Sequence, residues 1–391
     1  MSERIIRNAR LVLAGGVTPG SLRFDQRGIT GVAPAGGDLP AGAAEIIDAA
    51  GRYLAPGLID VHVHGGGGFD LMTDDPEQVR GYARWIVSRG VSGFLVSTSG
   101  RNHGEILRRL RALAPLIGRP EPGAARVLGF HLEGPYINPV RKGAFDPRWL
   151  RAPSVAEYAE LLDAAGGAIR QMTLAPELPG ADDLLRAVVA SGAVAAMGHT
   201  DATYEQAMRA IELGATHVTH CFNAMRPFSH RDPGVLGAVM QSDAVTAELI
   251  GDGAHVDYAA ARVLLRAKGA GHIVLVTDGM PLAGTADGDG EWEGVRIRVE
   301  GGKAVRVSDG TIIGGVITLD QTLRNAVAHL GAPLHEAVAM ASTNAASAMR
   351  IGDAYGSLAP GRAADFVLLD DDLRVTETWV AGERVWAEAA R

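Results

Sequence analysis

Eight short apolar runs alternating with helix-like segments, together with a β-rich stretch at each end of the chain, predict an α/β fold. The architecture they imply is a (β/α)8 TIM-like barrel with a small β-sandwich domain built from both chain ends. Along the 391 residues the division falls at 1–55 for the N-terminal part of the small β domain, 56–354 for the barrel and 355–391 for the C-terminal part.

The first 55 residues read as short strands and turns in "RIIRNARLVL", "GSLRFDQRGITGVAP" and "AEIIDAAGRYLAP", with frequent Gly and Pro. The eight runs follow at 58–64, 93–98, 126–133, 169–175, 193–199, 215–220, 245–251 and 272–278. Between them, stretches such as "PEQVRGYARWIVSRG" and "TYEQAMRAIELG" space apolar residues near the helical period and stop at Gly. A doubly wound open sheet is the rival, but it gives no reason for eight units. The "GGGGFD" after the first run also lacks the G-x-G-x-x-G turn that opens a phosphate-binding helix. Those glycines are expected instead to let a loop clear the entrance of a site. After the eighth run comes a strand-like insert, "EWEGVRIRVEGGKAVRVSDGTIIGG", and two helical stretches at 321–330 and 334–349 then close the barrel. The tail, "GSLAPGRAADFVLLDDDLRVTETWVAGERVW", alternates apolar and polar residues and should pair with the N-terminal strands.

Composition narrows the function classes. Apolar residues make up 47% and charged residues 21%, and no run of 18 apolar residues exists to span a membrane. The start, "MSERIIRNARLVLAGG", lacks the core and cleavage site of a secretory signal. A single cysteine, Cys221, excludes an internal disulfide and fits a reducing compartment, so the cytoplasm is the expected location. A net charge of −8 argues against nucleic acid or anionic membranes as general partners. An anionic small substrate would need a local cluster of cations, and with only Lys142, Lys268 and Lys303 available, arginine must supply most of it.

In a parallel barrel the C-terminal strand ends share one face, where the functional side chains gather. His62 and His64 end the first run, Glu133 the third, His199 the fifth, His220 the sixth and Asp278 the eighth. Residues i and i+2 of a strand point to one side, so His62 and His64 face inward together. Singly, each histidine reads as a hydrogen-bonded core residue and Asp278 as a helix cap. As a set of four imidazoles and two carboxylates they demand an ion, because unpaired buried charge costs several kcal/mol. Imidazole and carboxylate without thiolate suit Zn2+ first, with Fe2+, Co2+ or Mn2+ as alternatives. Cys221 alternates to the other face and reads as packing. Two ions could share the site: His62 and His64 near Asp278 would hold one, and His199 and His220 the other. None of the three lysines ends a run, so Glu133 is the bridging candidate. Such an ion makes hydroxide available at neutral pH and polarises a carbonyl, and Asp278 fits the general base and acid. The implied chemistry is hydrolysis at an amide, ester or amidine carbon. In "HCFNAMRPFSHRDPG", Asn223, Arg226 and Arg231 lie beside that face. An arginine there reads either as a handle for an anionic substrate or as a solvated loop residue. His255, after the seventh run, could hydrogen-bond a substrate or simply pack.

The pattern resembles the amidohydrolase superfamily through "GLIDVHVHG" and the His, His and Asp at later strand ends. More narrowly, "FHLEGPYINPVRKGAFDP", "MGHTDATYEQ", "THCFNAMRPFSHRDPG", "IGDGAHV" and "TDGMPLAG" resemble the N-acetylglucosamine-6-phosphate deacetylases. The likeness runs over nearly the whole chain, including "STNAASAMRIGDAYGSLAPGRAADFVLLD". It implies removal of acetate from the amino group of a 6-phosphorylated amino sugar, a step of amino-sugar catabolism and cell-wall recycling. Carried over, Glu133, His199 and His220 match the principal metal ligands and Asp278 the catalytic acid/base. Asn223, Ala224 and His255 match substrate contacts, and Ala144 and Phe145 stand at the substrate-touching "KG" motif. Ile312, Ile313 and Gly314 fall in a short match to a substrate-contacting loop. Arg231 matches an arginine that reaches the phosphate bound in the adjacent subunit, which implies a homodimer.

Two departures stand out. Phe145 replaces a histidine common at that position; its ring can stack on a sugar but cannot donate the hydrogen bond, which opens the galactosamine epimer as an alternative. Gly279 stands in "TDG" where many relatives have alanine, a change expected to affect loop flexibility only. Some relatives replace the His62 and His64 pair with amides and use one metal; this chain retains both, so one or two ions per subunit are expected. Beyond the sugar epimer, the alternatives are an N-acyl-amino-acid deacylase, a cyclic amidase, or a non-catalytic scaffold that would be expected to have lost ligands.

Overall fold

In the computed structural model, which describes residues 3–37, 39–119 and 121–389, eight parallel strands follow one another in chain order around a single sheet. They are β1 (Leu58–Asp60), β2 (Val91–Thr98), β3 (Arg126–Glu133), β4 (Ile169–Leu174), β5 (Val194–Met197), β6 (His217–Val218), β7 (Thr246–Ile250) and β8 (Ile273–Val276). β8 returns to β1 through a bridge between Val63 and Gly279, so the sheet closes on itself. Around that closure the Asp278 N–H donates to the His62 carbonyl at 2.9 Å and the His64 N–H to the Gly279 carbonyl at 2.7 Å.

One helix follows each strand: Pro76–Ile86, His103–Leu113, Val155–Ala164, Ala181–Ala190, Tyr204–Glu212, Gly234–Gln241, Tyr258–Lys268 and Leu319–Asn325. Asp75, Asn102, Ser154, Thr203 and Asp257 cap five of them, each side chain accepting a main-chain N–H of the first turn. Every residue of β2 is buried, as expected of a parallel strand covered by helices on one side and barrel contents on the other. The expected helix at 334–349 is broken in two, Leu334–Ala341 and Thr343–Ala348, because Ser342 leaves the helical region and turns its hydroxyl back to the Val338 carbonyl. The second piece delivers Ala345, Ala346 and Met349 into an apolar cluster with Ile59, Leu95, Val194 and Val274 of the barrel.

Both chain ends join one eight-stranded sheet that runs from Arg4–Leu13 through Tyr53–Pro56 to Phe366–Leu369 and Glu383–Ala387. Phe24 and Phe366 stand three strands apart in hydrogen-bonding order, which would separate them by about 14 Å in a flat sheet. Their rings are 5.0 Å apart, with Trp379 5.5 Å from Phe24. The sheet is therefore curled over its own core and packs as a sandwich while its hydrogen bonds stay continuous. Arg126, at the start of β3, ties it to the barrel through Asp365 at 2.8 Å. The insert forms three antiparallel strands, Gly288–Trp292, Val295–Glu300 and Lys303–Arg306, on a small core of Met280, Ile297, Val299, Ala304 and Ile313. Among the described residues, no helix is long and apolar enough to cross a membrane.

The glycine tract after β1 does something other than loosen a loop. It makes a tight hairpin, Gly65–Gly66 against Phe69–Asp70, pressed on Trp85; a Cβ on Gly67 would lie 2.4 Å from that ring. Close approach, rather than clearance of an entrance, is what requires glycine there.

Candidate active site

The strand ends that carry polar side chains are also where the backbone leaves the sheet. His199, His220 and Asp278 have φ of 48°, 29° and 49°, the left-handed region that non-glycine residues avoid. Such strain costs of order 1–3 kcal/mol per residue and persists where surrounding structure imposes it. It turns these three side chains out of the ladder and toward the barrel axis. It also explains why β6 is only His217–Val218, shorter than the run that ends in His220.

Six side chains meet there in two triads, His62 with His64 and Asp278, and Glu133 with His199 and His220; the ligand atoms of each lie within 4.8 Å of one another. In the first, the two Nε2 atoms are 3.2 Å apart, and Asp278 Oδ1 lies 3.3 Å from His62 Nε2 and 3.4 Å from His64 Nε2. In the second, Glu133 Oε1 lies 3.1 Å from His199 Nε2 and 3.0 Å from His220 Nε2, and those nitrogens are 3.0 Å apart. Glu133 Oε2 faces the other way, 3.1 Å from His64 Nε2, so one carboxylate stands between the triads.

The donor set fits a divalent cation. Glu248 accepts from His62 Nδ1 at 2.8 Å and the Arg141 carbonyl from His199 Nδ1 at 2.9 Å. Both partners are acceptors, so each ring carries its proton on Nδ1 and turns a lone pair on Nε2 into the cluster. Lone pairs converging at about 3 Å with carboxylates beside them leave a place for positive charge. The electrostatics of the carboxylates also favour positive charge at this place. Burial pushes Glu133 up, but His62, His199 and His220 outweigh it and hold the carboxyl well below its usual range. Burial would likewise depress His62, yet Glu248, Asp278 and Glu133 pull it well above the ordinary value. Cys221, next to His220, is buried among apolar side chains with its thiol pushed up to about 12, so it is packing rather than ligand.

A cavity of about 370 Å3 opens onto the triads. Asn223, Ala224 and His255 line it, as do Ala144, Phe145, Ile312, Ile313 and Gly314, so these sequence candidates come together. Phe145 meets His199 edge-on, with ring centroids 5.1 Å apart. Its loop passes close to that histidine: a Cβ on Gly143 would lie 3.1 Å from His199 Cε1. Asp252 holds the His255 ring through Nδ1 at 2.7 Å. Arg231 is the candidate that does not join them. It is exposed and, among the described residues, makes no ion pair, whereas Arg226 is committed to Asp201 and Asp232 at 3.2 and 2.8 Å.

Sequence reasoning missed part of the wall. Met72, Ser99, Trp149, Trp292 and Glu293 also line the cavity. Trp292 and Glu293 form the tip of the insert's first hairpin, with the Trp292 ring 5.8 Å from His64 and Glu293 paired to buried Arg109 at 3.2 Å. The Trp-Glu-Gly turn was visible, but nothing local said that it would reach over the strand ends. No Lys or Arg is among the described lining residues.

Comparison with known proteins follows the same lines. The amidohydrolase family profile matches residues 53–385. The chain is 35% identical over 336 residues to the N-acetylglucosamine-6-phosphate deacetylase of Lysinibacillus sphaericus, covering 86% of each. It is 36% identical over 332 residues to the N-acetylgalactosamine-6-phosphate deacetylase of Escherichia coli O157:H7, covering 85% of this chain and 87% of that one. Among solved structures, a mutant N-acetyl-D-glucosamine-6-phosphate deacetylase of Mycobacterium smegmatis in complex with N-acetyl-D-glucosamine-6-phosphate superposes with a TM-score of 0.91. It shares 34% identity, with 98% of this chain and 100% of that chain covered.

Proposed function

The chain belongs to the amidohydrolase family, among its N-acetylglucosamine-6-phosphate deacetylases, and from that premise we propose how its own residues carry the reaction. It is a metal-dependent hydrolase that converts N-acetylglucosamine 6-phosphate and water into glucosamine 6-phosphate and acetate. The observation that carries the assignment of roles is the pair of triads with Glu133 standing between them at the floor of the cavity.

His62, His64, Glu133, His199 and His220 would hold one or two divalent ions, Zn2+ first by donor chemistry, with Fe2+, Co2+ or Mn2+ as alternatives. When bound, such an ion lowers the pKa of water toward neutrality and polarises the amide carbonyl. Asp278, at the edge of the first triad and open to the cavity, takes a proton from the attacking water. As the C–N bond breaks, it returns that proton to the departing nitrogen. His255, steadied by Asp252, and Asn223, on the strained loop after β6, are placed to hydrogen-bond the sugar. Phe145, Trp149 and Trp292 offer ring faces to its apolar side and exclude water.

The phosphate needs a cation that the cavity's own lining lacks. Arg231, exposed and without an ion pair among the described residues, supports a homodimer in which it reaches the neighbouring cavity. The continuous core of the sheet from the chain ends supports a small domain at 1–55 and 355–391 beside a barrel at 56–354. A single buried cysteine supports a cytoplasmic setting.

Acetate release, measured across glucosamine, galactosamine and mannosamine N-acetyl derivatives with and without 6-phosphate, tests this reading. The glucosamine 6-phosphate derivative should be fastest. Arg231→Ala should raise KM at least tenfold for it and leave unphosphorylated sugars unaffected; equal effects on both would sink the phosphate role. Phe145 and the galactosamine-specific relative give a specific reason to watch the galactosamine 6-phosphate derivative, and a higher kcat/KM for it would reassign the sugar.

A further inference from the structure

Beneath the two triads lies a carboxylate that the reaction does not touch. Glu248, in the middle of β7, is fully buried, and both of its oxygens are occupied. Oε1 accepts from Gln171 Nε2 at 2.8 Å and His217 Nε2 at 3.1 Å. Oε2 accepts from His62 Nδ1 at 2.8 Å and from the main-chain N–H of His220 at 2.9 Å.

A buried carboxylate costs several kcal/mol to desolvate, and four donors converge to compensate it here. Structural support alone could be given by a neutral acceptor, as the Arg141 carbonyl does for His199. We propose that Glu248 is a positioning residue that fixes the His62 ring with its Nε2 lone pair inward. Its negative charge, held 2.8 Å from Nδ1, polarises that ring toward the cluster and so sets the affinity of the His62–His64–Asp278 triad for its ion. The two triads then rest on different supports: a buried charge under His62 and a neutral main-chain oxygen behind His199. The inference rests on the two-ion reading above.

Glu248→Gln is the informative change. Its amide oxygen can face His62 and His220 while its NH2 turns toward Gln171 and His217. Gln171 Oε1, buried without a partner among the described residues, can be presented by an amide flip, and His217 can accept on Nε2 with its proton on Nδ1 facing Thr246 Oγ1. Shape and His62 orientation are then kept while the charge goes. Zinc content is read by mass spectrometry at stepped free Zn2+, alongside the melting temperature of the chelated protein. The variant should lose one ion with an affinity 10- to 100-fold below wild type, as is typical when such outer-shell partners are removed. The second ion should stay within about threefold, and the metal-free melting temperature should remain close to wild type. Glu248→Asp, which keeps the charge at a greater distance, should weaken the same ion by less than the Gln variant does, and serves if the Gln variant fails to fold. Unchanged affinity for both ions, or equal loss of both, would overturn the proposal. A lowered melting temperature without any change in metal binding would overturn it too, marking a purely structural carboxylate. A wild-type protein that holds a single ion would overturn the two-ion reading itself, and with it this inference; that outcome is read on the wild type alone.

Discussion

At Asp278 the chain keeps a carboxylate charged in a buried place: burial pushes it up, but His62 and His64 outweigh that and hold it below its ordinary value. A group held charged and facing the cavity is ready to accept a proton from water. Asp278→Asn is nearly isosteric and removes that capacity. It should lower kcat by about 10²- to 10⁴-fold while KM changes by less than threefold. Steady-state acetate release checks this, and a variant retaining a tenth of wild-type kcat would reassign the proton carrier. Its candidacy was legible because an Asp ends an apolar run. The supporting Glu248 was equally visible as a charge inside "AELIG", yet it was passed over because a mid-strand residue gives no sign of what it faces. His131 is similar: two residues before Glu133, on the same side of β3, it bonds Ser97 and Thr173 rather than an ion.

Among elements, β1 and the segment after it carry two candidate ligands on three residues. His62→Gln with His64→Asn should reduce bound metal by about one ion per chain and leave the far-ultraviolet circular dichroism unchanged, since Glu133, His199 and His220 come from other strands. An unchanged metal count would make the pair structural. Strand periodicity predicted that both rings face inward, and they do, although the ladder ends at Asp60 and only the Val63 bridge continues it. Helices were read well where a cap, an amphipathic stripe and a Gly stop coincided, as in Tyr204–Glu212 with its Thr203–Gln206 capping box. The hairpin of the insert was legible as strands, but its place over the cavity was not. That place depends on Glu293 meeting Arg109, residues 184 positions apart, and long-range pairings of this kind leave no local periodicity.

For the whole molecule, the count of eight units predicted the barrel, because closure needs that number and local pattern shows each one. The chain-end sheet was legible as strands and as a partnership. Its continuity was not, since the curl is set by how Phe24, Phe366 and Trp379 pack. One feature of the closure has a mechanical side. Neighbouring barrel strands share ladders, but the first and last meet through one bridge, a few main-chain bonds and the Thr277 hydroxyl donating to buried Asp60 at 2.6 Å. His62 and His64 stand on one lip of that seam and Asp278 on the other. An ion held by His62 and His64 with Asp278 beside it would act as a rivet through the seam, tying residue 64 toward residue 278 and restricting the unfolded chain as a cross-link over a long loop does. Chelation should therefore speed amide hydrogen exchange at His64 and Asp278 about tenfold or more, while the centre of β3 stays protected. Uniform change at both places would show that the ion holds nothing shut. If the seam does open, the enzyme's cofactor also decides whether its barrel is a ring or a ribbon.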